Sequence, residues 1–187
     1  MRRENLEHLI RAAGAISGSQ RIVVIGSQAV LGQFPHTAPE RATLSMEADL
    51  LPIDAPATSE LLTGTLGELS PFHNTFGYFG DGVSLRTATL PEGWQERLIP
   101  IDNANTNGYV GLCLEIHDLL ISKYVAGREK DHEFCTAIVT AGLAGREVLV
   151  ERLAATQLDG AIRKIVGNRI DADFGESNSA LNSTLQK

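Results

Sequence analysis

Apolar and polar residues follow clear periods along the first quarter of the chain. Apolar residues at the helical spacing i, i+3, i+4 and i+7 predict a helix over residues 4–17. The β-branched run at residues 21–25 lies between turn residues and predicts a buried strand. Residues 28–31 favour one or two helical turns, whereas two prolines and a glycine predict a loop over residues 32–43.

Most of the predicted strands lie in the middle of the chain. Residues 44–51 alternate between apolar and polar side chains, which places Leu44 and Met46 on one face of a strand and Glu47 and Asp49 on the other. A helix is predicted over residues 57–69 and a glycine- and aromatic-rich loop over residues 70–81. Further strands are predicted over residues 83–90, 97–102 and 109–115.

The last third of the chain has the helical period. Helices are predicted from about His117 and over residues 130–143, 146–154 and 158–169. From Asp171 the composition turns to Ser, Asn, Asp and Gly, so residues 1–170 are expected to form a single domain and residues 171–187 a flexible tail. The order of elements predicts an α+β fold, with one mixed β-sheet of about five strands, flanking helices and a helical C-terminal end.

The composition narrows the class of protein. Of 187 residues, 43% are apolar and 21% are charged, as in ordinary globular proteins, and two cysteines exclude a disulfide framework. The net charge of −7 argues against strong general nucleic-acid binding, which depends on phosphate neutralisation. Without an apolar signal segment or a run of about 18 apolar residues, we expect a cytoplasmic protein that does not enter a membrane.

A glycine–serine pair, Gly26 and Ser27, follows the first predicted strand and opens a helical turn. Glycine lets the backbone approach a ligand closely, and backbone N–H groups at the start of a helix favour a phosphate. The pair therefore indicates a phosphate-binding turn. A simple tight turn between two elements is the alternative.

Two carboxylates, Glu47 and Asp49, stand two residues apart on a predicted strand and therefore share one face. Hard oxygen ligands of this kind suit Mg²⁺ or Mn²⁺, so the pair is a candidate metal site. A solvated strand face is the alternative.

A third candidate group lies at the end of one predicted helix and the start of the next. Lys123 and Arg128 could hold a triphosphate there, and Asp131 would add a carboxylate to the site. Cations near a helix C-terminus are also stabilising by themselves, so a capped pair of helices is the alternative.

The spacing of Cys113 and His117, and of His132 and Cys135, also allows a zinc site of two cysteines and two histidines. Buried, unreactive cysteines are the alternative.

Several stretches give the chain a resemblance to the DUF6036 family, which is grouped with minimal nucleotidyltransferases and is related to the nucleotidyltransferase toxins of type IV toxin–antitoxin systems. The resemblance covers roughly residues 20–155. The stretches that carry it are VIGSQA at 24–29, SMEADL at 45–50, GELSPFH at 67–73, LEIHDL at 114–119 and SKYVAGREKD at 122–131.

The resemblance implies a nucleotidyltransferase-like fold and a role for each candidate residue. Gly26 and Ser27 would bind the β- and γ-phosphates of a nucleotide, and Glu47 and Asp49 would bind the metal. The toxin-like relatives add a helical lysine and a later arginine and aspartate. Their counterparts here are Lys123 and Arg128 for nucleotide binding, with Lys123 and Asp131 also placed among the catalytic residues. The metal-binding pair Glu47 and Asp49 belongs to the same catalytic set.

Two features depart from the family pattern. Glu47 stands where an aspartate is usual, and its extra methylene moves the carboxylate by about 1.3–1.5 Å. A third carboxylate has no clear position, and Asp102, Glu115 and Asp131 are the candidates.

The predicted function is nucleotidyl transfer from an NTP, dependent on Mg²⁺ or Mn²⁺. The acceptor is an RNA end, a protein hydroxyl or a small molecule, in a toxin-like role. The alternative is an inactive nucleotide-binding or partner-binding module of a two-gene system, with a cognate protein partner.

Overall fold

Strands and helices are interspersed up to residue 113, and only helices follow. The computed structural model describes the backbone of residues 1–184 and the side chains of residues 1–175. Within them the helices are α1 (Arg3–Ser17), α2 (Val30–Gln33), α3 (Glu40–Thr43), α4 (Ser59–Leu66), α5 (Pro71–Phe76), α6 (Ile116–Ala126), α7 (Glu129–Thr140), α8 (Arg146–Ala154) and α9 (Gly160–Thr184). The strands are β1 (Arg21–Val24), β2 (Glu47–Pro52), β3 (Phe79–Gly82), β4 (Ile99–Ile101) and β5 (Val110–Cys113).

The five strands form one mixed sheet in the order β3-β2-β1-β5-β4. The central β1 is antiparallel to β2 and parallel to β5, while β2 is parallel to β3 and β4 is antiparallel to β5. This sheet, its flanking helices and the helical C-terminal end confirm the predicted α+β architecture. The sheet brings the acidic strand β2 next to the end of β1, where the Gly26–Ser27 pair lies.

The α6 helix is the most deeply buried of the C-terminal helices, because helices α7, α8 and α9 all pack against it. Consecutive apolar residues are therefore buried around its circumference, with Leu119, Leu120 and Ile121 each fully buried. The fixed position of α6 matters because its last turn carries Lys123.

The long helix α9 ties α6 to α7. The Tyr124 hydroxyl on α6 donates to Asp173 Oδ2 at 2.7 Å, and Thr136 Oγ1 on α7 donates to Asp173 Oδ1 at 2.7 Å. Arg169 Nη1 donates to the Tyr124 carbonyl oxygen at 2.6 Å, which satisfies a backbone acceptor near the C-terminus of α6. No helix in the described part of the chain is both long and apolar enough to cross a membrane.

Two predictions in the middle of the chain are wrong. Residues 70–81, predicted as a loop, contain α5 and β3, and residues 83–90, predicted as a strand, contain only a short 3₁₀ turn. The physical reason is pairing over a long sequence distance: β3 takes its hydrogen-bond partners from β2 although two of its four residues are glycines. Residues 84–87 alternate in polarity but are exposed, so a strand there would have no buried face to stabilise it.

Smaller corrections concern element ends. The strand predicted over residues 44–51 begins only at Glu47, and Leu44 and Met46, which precede it, are 64% and 53% exposed. The predicted loop at residues 32–43 ends in α3.

The segment from Asp171, predicted as a flexible tail, lies in α9, which continues to Thr184. Asp171 forms an ion pair with Arg146, and Asp173 accepts the two hydrogen bonds described above. These tertiary contacts favour a continued helix, although the composition of the segment is polar and contains few residues that could pack in a core. Residues 185–187 of the predicted tail lie outside the described residues.

Candidate active site

A cavity of about 620 Å³ opens between the end of β1, the start of β2 and the corner that joins α6 to α7. The residues to which the family resemblance gives nucleotide-binding, metal-binding or catalytic roles all line it. They are Gly26, Ser27, Glu47, Asp49, Lys123, Arg128 and Asp131. The fold therefore brings together groups that are up to 105 residues apart in the chain, from Gly26 to Asp131.

The turn after β1 is built around a close approach to Asp49. The Ile25 N–H donates to the Asp49 carbonyl oxygen at 3.1 Å, which extends the pairing of β1 and β2 to the end of the strand. A Cβ atom added at Gly26 would lie 1.7 Å from Asp49 Oδ2, so only glycine leaves room for this carboxylate. Ser27 Oγ accepts a long hydrogen bond (3.4 Å) from the buried Gln28 side chain, which leaves the serine proton available to a ligand.

The carboxylates of Glu47 and Asp49 lie on one face of β2 and make no hydrogen bond or ion pair with any described residue. Burial raises the pKa of Glu47, and the negative charges of Asp49 and Asp81 raise it further. Burial also raises the pKa of Asp49, although the charge of Lys123 opposes this. Two half-buried, unpaired acids that repel each other suit a divalent cation, which would remove both the repulsion and the unmet need for ligands.

Asp81 is an acid of this face that the sequence analysis missed. It lies on β3 directly beside Asp49 in the parallel register, and burial together with the charges of Asp49 and Glu68 raises its pKa. The sequence signal was its position two residues after a buried aromatic, Phe79, but the flanking glycines indicated a loop.

The residues proposed as a third carboxylate lie elsewhere or are already paired. Asp102 is exposed and follows β4 at the opposite edge of the sheet. Glu115 caps α6 by accepting from the His117 N–H at 3.0 Å. Within the described side chains, no three His, Cys, Asp or Glu residues are grouped closely enough to hold a metal ion by themselves.

Three of the cations that line the cavity come from the junction of α6 and α7, which we call the basic corner: Lys123 at the end of α6, and Arg128 and Lys130 at the start of α7. Lys123 Nζ lies 3.1 Å from Asp131 Oδ1, and Arg128 Nε lies 2.6 Å from Asp131 Oδ2. Burial acts to raise the pKa of Asp131, but the hydrogen bond from Arg128 and the charge of Lys123 outweigh it and lower the pKa.

Asp131 therefore anchors the basic corner from behind. Its side chain is 1% exposed, whereas that of Arg128 is 59% exposed and remains available to a ligand. Asp131 also accepts a hydrogen bond from the Arg128 backbone N–H at 3.3 Å, which caps the start of α7. The segment is therefore a capped helix, as the alternative interpretation held, and it also lines the cavity.

The zinc hypothesis is wrong. Cys113 and Cys135 are both fully buried, on β5 and α7, and burial raises the pKa of each thiol, to about 12 for Cys113. The two ring nitrogens of His117 lie 2.8 Å from Glu115 Oε1 and 3.0 Å from the Gly145 nitrogen. These residues are structural, as the alternative interpretation held.

The close approach of Gly26 gives a direct prediction. We expect Gly26→Ala to displace the Asp49 carboxylate, because the new Cβ would overlap Oδ2, and to weaken cation binding and lower Tm. Gly64→Ala is the matched control, since no atom lies within 4 Å of its added Cβ in α4, and it should stabilise the protein by about 0.5–1 kcal/mol. Thermal unfolding with and without Mn²⁺ measures both effects. Equal behaviour of the two variants would contradict the assigned role of Gly26.

The fold and the site together define a class of protein. A mixed sheet that carries an acid pair on the strand after a glycine–serine turn, facing a cationic helix corner, is consistent with a nucleotidyltransferase-like fold. The chain belongs to the DUF6036 family, described as a nucleotidyltransferase of unknown function, whose model matches residues 4–169. This match confirms the family resemblance found in the sequence. No curated protein and no solved structure matches the chain.

Proposed function

We propose that the protein transfers a nucleotidyl group from an NTP to a hydroxyl acceptor with the help of Mg²⁺ or Mn²⁺. One observation carries this proposal. Glu47 and Asp49, which have no ion-pair partner among the described residues, share one cavity with the basic corner. A cation bound to polyphosphate has the matching charge pattern, and the cavity has the size of small-molecule sites, about 300–1,000 Å³.

The metal would be held by Glu47 and Asp49. Mg²⁺ in enzymes commonly binds one or two carboxylates and completes its shell with water and substrate phosphates, so a third protein ligand is not required. When bound, the metal supplies Lewis-acid polarisation of the α-phosphate and a lower pKa for an attacking hydroxyl.

The protein groups would act mainly by placing the phosphates. Lys123 and Arg128 offset the negative charge that builds up on the departing pyrophosphate, and Lys130 adds a further cation that the sequence analysis did not select. The Ser27 hydroxyl, with its proton free, donates to a phosphate oxygen. Asp131 keeps the first two cations in place through its ion pairs.

A second candidate is nucleotide binding without turnover. It is favoured by Glu47 in the place of an aspartate and by the lack of a three-carboxylate metal group among the described residues. Small displacements of reacting groups are costly in catalysis, whereas binding tolerates them better.

The test has two stages. Thermal unfolding with each NTP, with and without Mg²⁺, should show a rise in Tm that needs both components. Incubation with NTPs labelled on the α-phosphate, together with RNA or cell lysate, should then label an acceptor. A metal-dependent rise without labelling favours the binding module, and no rise with any NTP rejects both candidates. Growth arrest on expression, relieved by Asp49→Asn, would test the toxin-like role.

Metal binding should also depend on pH in a defined direction. Protons compete with the cation for Glu47 and Asp49, and their raised pKa values extend this competition upward from the usual carboxyl range near pH 4. We expect the rise in Tm caused by Mn²⁺ to be full at about pH 8 and to shrink steadily towards about pH 5. A rise that is constant over this range would place the Mn²⁺ elsewhere.

A further inference from the structure

The turn between α4 and α5, residues 67–70, reaches round the β3 edge of the sheet to the acidic face. A Cβ atom added at Gly67 would lie 2.6 Å from Asp81 Oδ1, so the turn packs directly on this carboxylate. Glu68 raises the pKa of both Glu47 and Asp81, which places its charge beside the same face. The turn therefore borders the acidic face at the β3 edge of the sheet, next to the residues that line the cavity.

Leu69, at the tip of this turn, has an exposed side chain, and hydrogen bonds to its backbone hold the turn in place. Its φ of 62° lies in the left-handed region that favours glycine, yet the side chain is a leucine and is 78% exposed. The Leu69 N–H donates to His73 Nδ1 at 3.0 Å, and Asn74 Nδ2 donates to the Leu69 carbonyl oxygen at 3.3 Å. Both backbone groups are thus satisfied while the side chain remains outside the core.

The turn is held against β3 by an aromatic contact. The His73 ring lies at 44° to the Phe79 ring, with ring centres 4.7 Å apart. The edge therefore exposes Leu69 close to the acids Glu68 and Asp81. We call these three residues the acceptor surface.

The direction of the reaction connects this surface to the acceptor. In phosphoryl and nucleotidyl transfer the attacking and leaving oxygens lie roughly in line on opposite sides of phosphorus. The basic corner attracts the leaving pyrophosphate. The charges of Lys123 and Arg128 act on Asp49, whereas the charges that act on Asp81, its neighbour on β3, are negative. A hydroxyl that attacks in line with this leaving group therefore approaches from the β3 side of the acid pair.

The charges at this edge select among acceptors. A metal on Glu47 and Asp49 would leave Glu68 and Asp81 as the charges of this edge. Glu68 acts on Asp81 with a negative charge, so the phosphates of RNA would be repelled. A segment with lysine or arginine beside its hydroxyl would be attracted, and an apolar residue of the same segment could cover Leu69.

Resting on the proposed function, we propose that the acceptor surface docks a protein substrate, in which a serine, threonine or tyrosine hydroxyl is flanked by basic residues and an apolar residue packs on Leu69. The hydroxyl oxygen forms a bond to the α-phosphorus, and the bond from that phosphorus to the bridging oxygen breaks. Pyrophosphate leaves with the electron pair, and the hydroxyl proton passes to solvent.

The experiment measures docking separately from turnover. Two fluorescein-labelled peptide pools of equal length carry a central serine, threonine or tyrosine and apolar neighbours. One pool has flanking lysine and arginine, and the other has aspartate and glutamate. Fluorescence anisotropy with the full chain should show binding of the basic pool at least about tenfold tighter than binding of the acidic pool or of a short mixed-sequence RNA.

Variants then localise the docking. Glu68→Lys should weaken binding of the basic pool about tenfold, and Leu69→Gly, which suits the left-handed backbone, about fivefold. The matched controls are Glu60→Lys and Leu61→Ala, an exposed acid and an exposed leucine on α4, which should change affinity less than about twofold. Leu69→Gly and the two controls should leave the Mg²⁺-dependent rise in Tm with NTP unchanged.

The outcomes separate the two proposals. No rise in Tm with any NTP in the wild-type protein rejects the proposed function, whatever the peptides do. Three outcomes, each together with a normal rise in Tm, would overturn the acceptor surface alone. These are equal binding of both peptide pools, tighter binding of RNA than of the basic pool, and losses of affinity in Glu68→Lys and Leu69→Gly that are no larger than those of the controls. Dimerisation in sedimentation that Leu69→Gly abolishes would also overturn it, since the partner would then be a second copy.

Discussion

Asp49→Asn should abolish the Mg²⁺-dependent rise in Tm with NTP while raising the Tm of the ligand-free protein. The raised pKa of Asp49 means that the folded protein disfavours its charge, and above that pKa the charge is a destabilising contribution which asparagine removes. The same substitution removes a metal ligand, and we expect the affinity for the metal–nucleotide complex to fall by more than about 100-fold, or about 2.7 kcal/mol. Thermal unfolding and nucleotide titration measure the two effects in one protein.

Asp102→Asn is the matched control for this prediction. Asp102 is exposed after β4, at the far edge of the sheet, so the same chemical change should leave both Tm and nucleotide binding unaltered. If Asp49→Asn instead lowered the ligand-free Tm and kept the response to metal, Asp49 would be an ordinary structural residue and the acid pair would not be the metal site.

Asp131→Asn should have the largest effect on stability. It leaves Lys123 without its ion-pair partner, removes the Arg128 pair and weakens the start of α7, so we expect a loss of about 3 kcal/mol. Because the folded pKa of Asp131 is lowered, its stabilisation is present at neutral pH and is lost as the pH falls through that pKa. The difference between variant and wild type in urea unfolding should therefore shrink in acid.

Asp54→Asn provides the comparison on the surface. Asp54 also pairs with an arginine, Arg21, but both side chains are substantially exposed, so its loss should cost less than about 1 kcal/mol. Equal costs at the two positions would show that the burial of Asp131 adds nothing and that the basic corner is not anchored as described.

Local sequence periods were sufficient to predict the elements that carry most of the candidate site. The apolar stripe of α1, the β-branched run of β1 and the i, i+2 spacing of Glu47 and Asp49 are properties of neighbouring residues. The same holds for the helical turn that carries Lys123. These residues were assigned to the correct helices and strands because the local sequence there has the intrinsic preference for the structure that forms.

The β3 edge could not be predicted in this way. Its strand, with two glycines in four residues, exists because β2 supplies hydrogen-bond partners about 30 residues earlier in the chain. Asp81 was therefore hidden in a segment whose composition predicts a loop, and Leu69 stood at the end of a predicted helix. The pairing of Asp131 with Lys123 and Arg128 likewise depends on how α6 meets α7, which spacing alone does not decide.

The reach of α9 has a consequence for where the folding unit ends. A fragment ended at residue 169, where the family match stops, would keep every residue that lines the cavity. It would nevertheless leave the hydroxyls of Tyr124 and Thr136 without the carboxylate they share, at a cost of about 1–3 kcal/mol for the buried tyrosine. The family match thus ends about one helical turn before Asp173, whose hydrogen bonds stabilise the packing of α6 and α7.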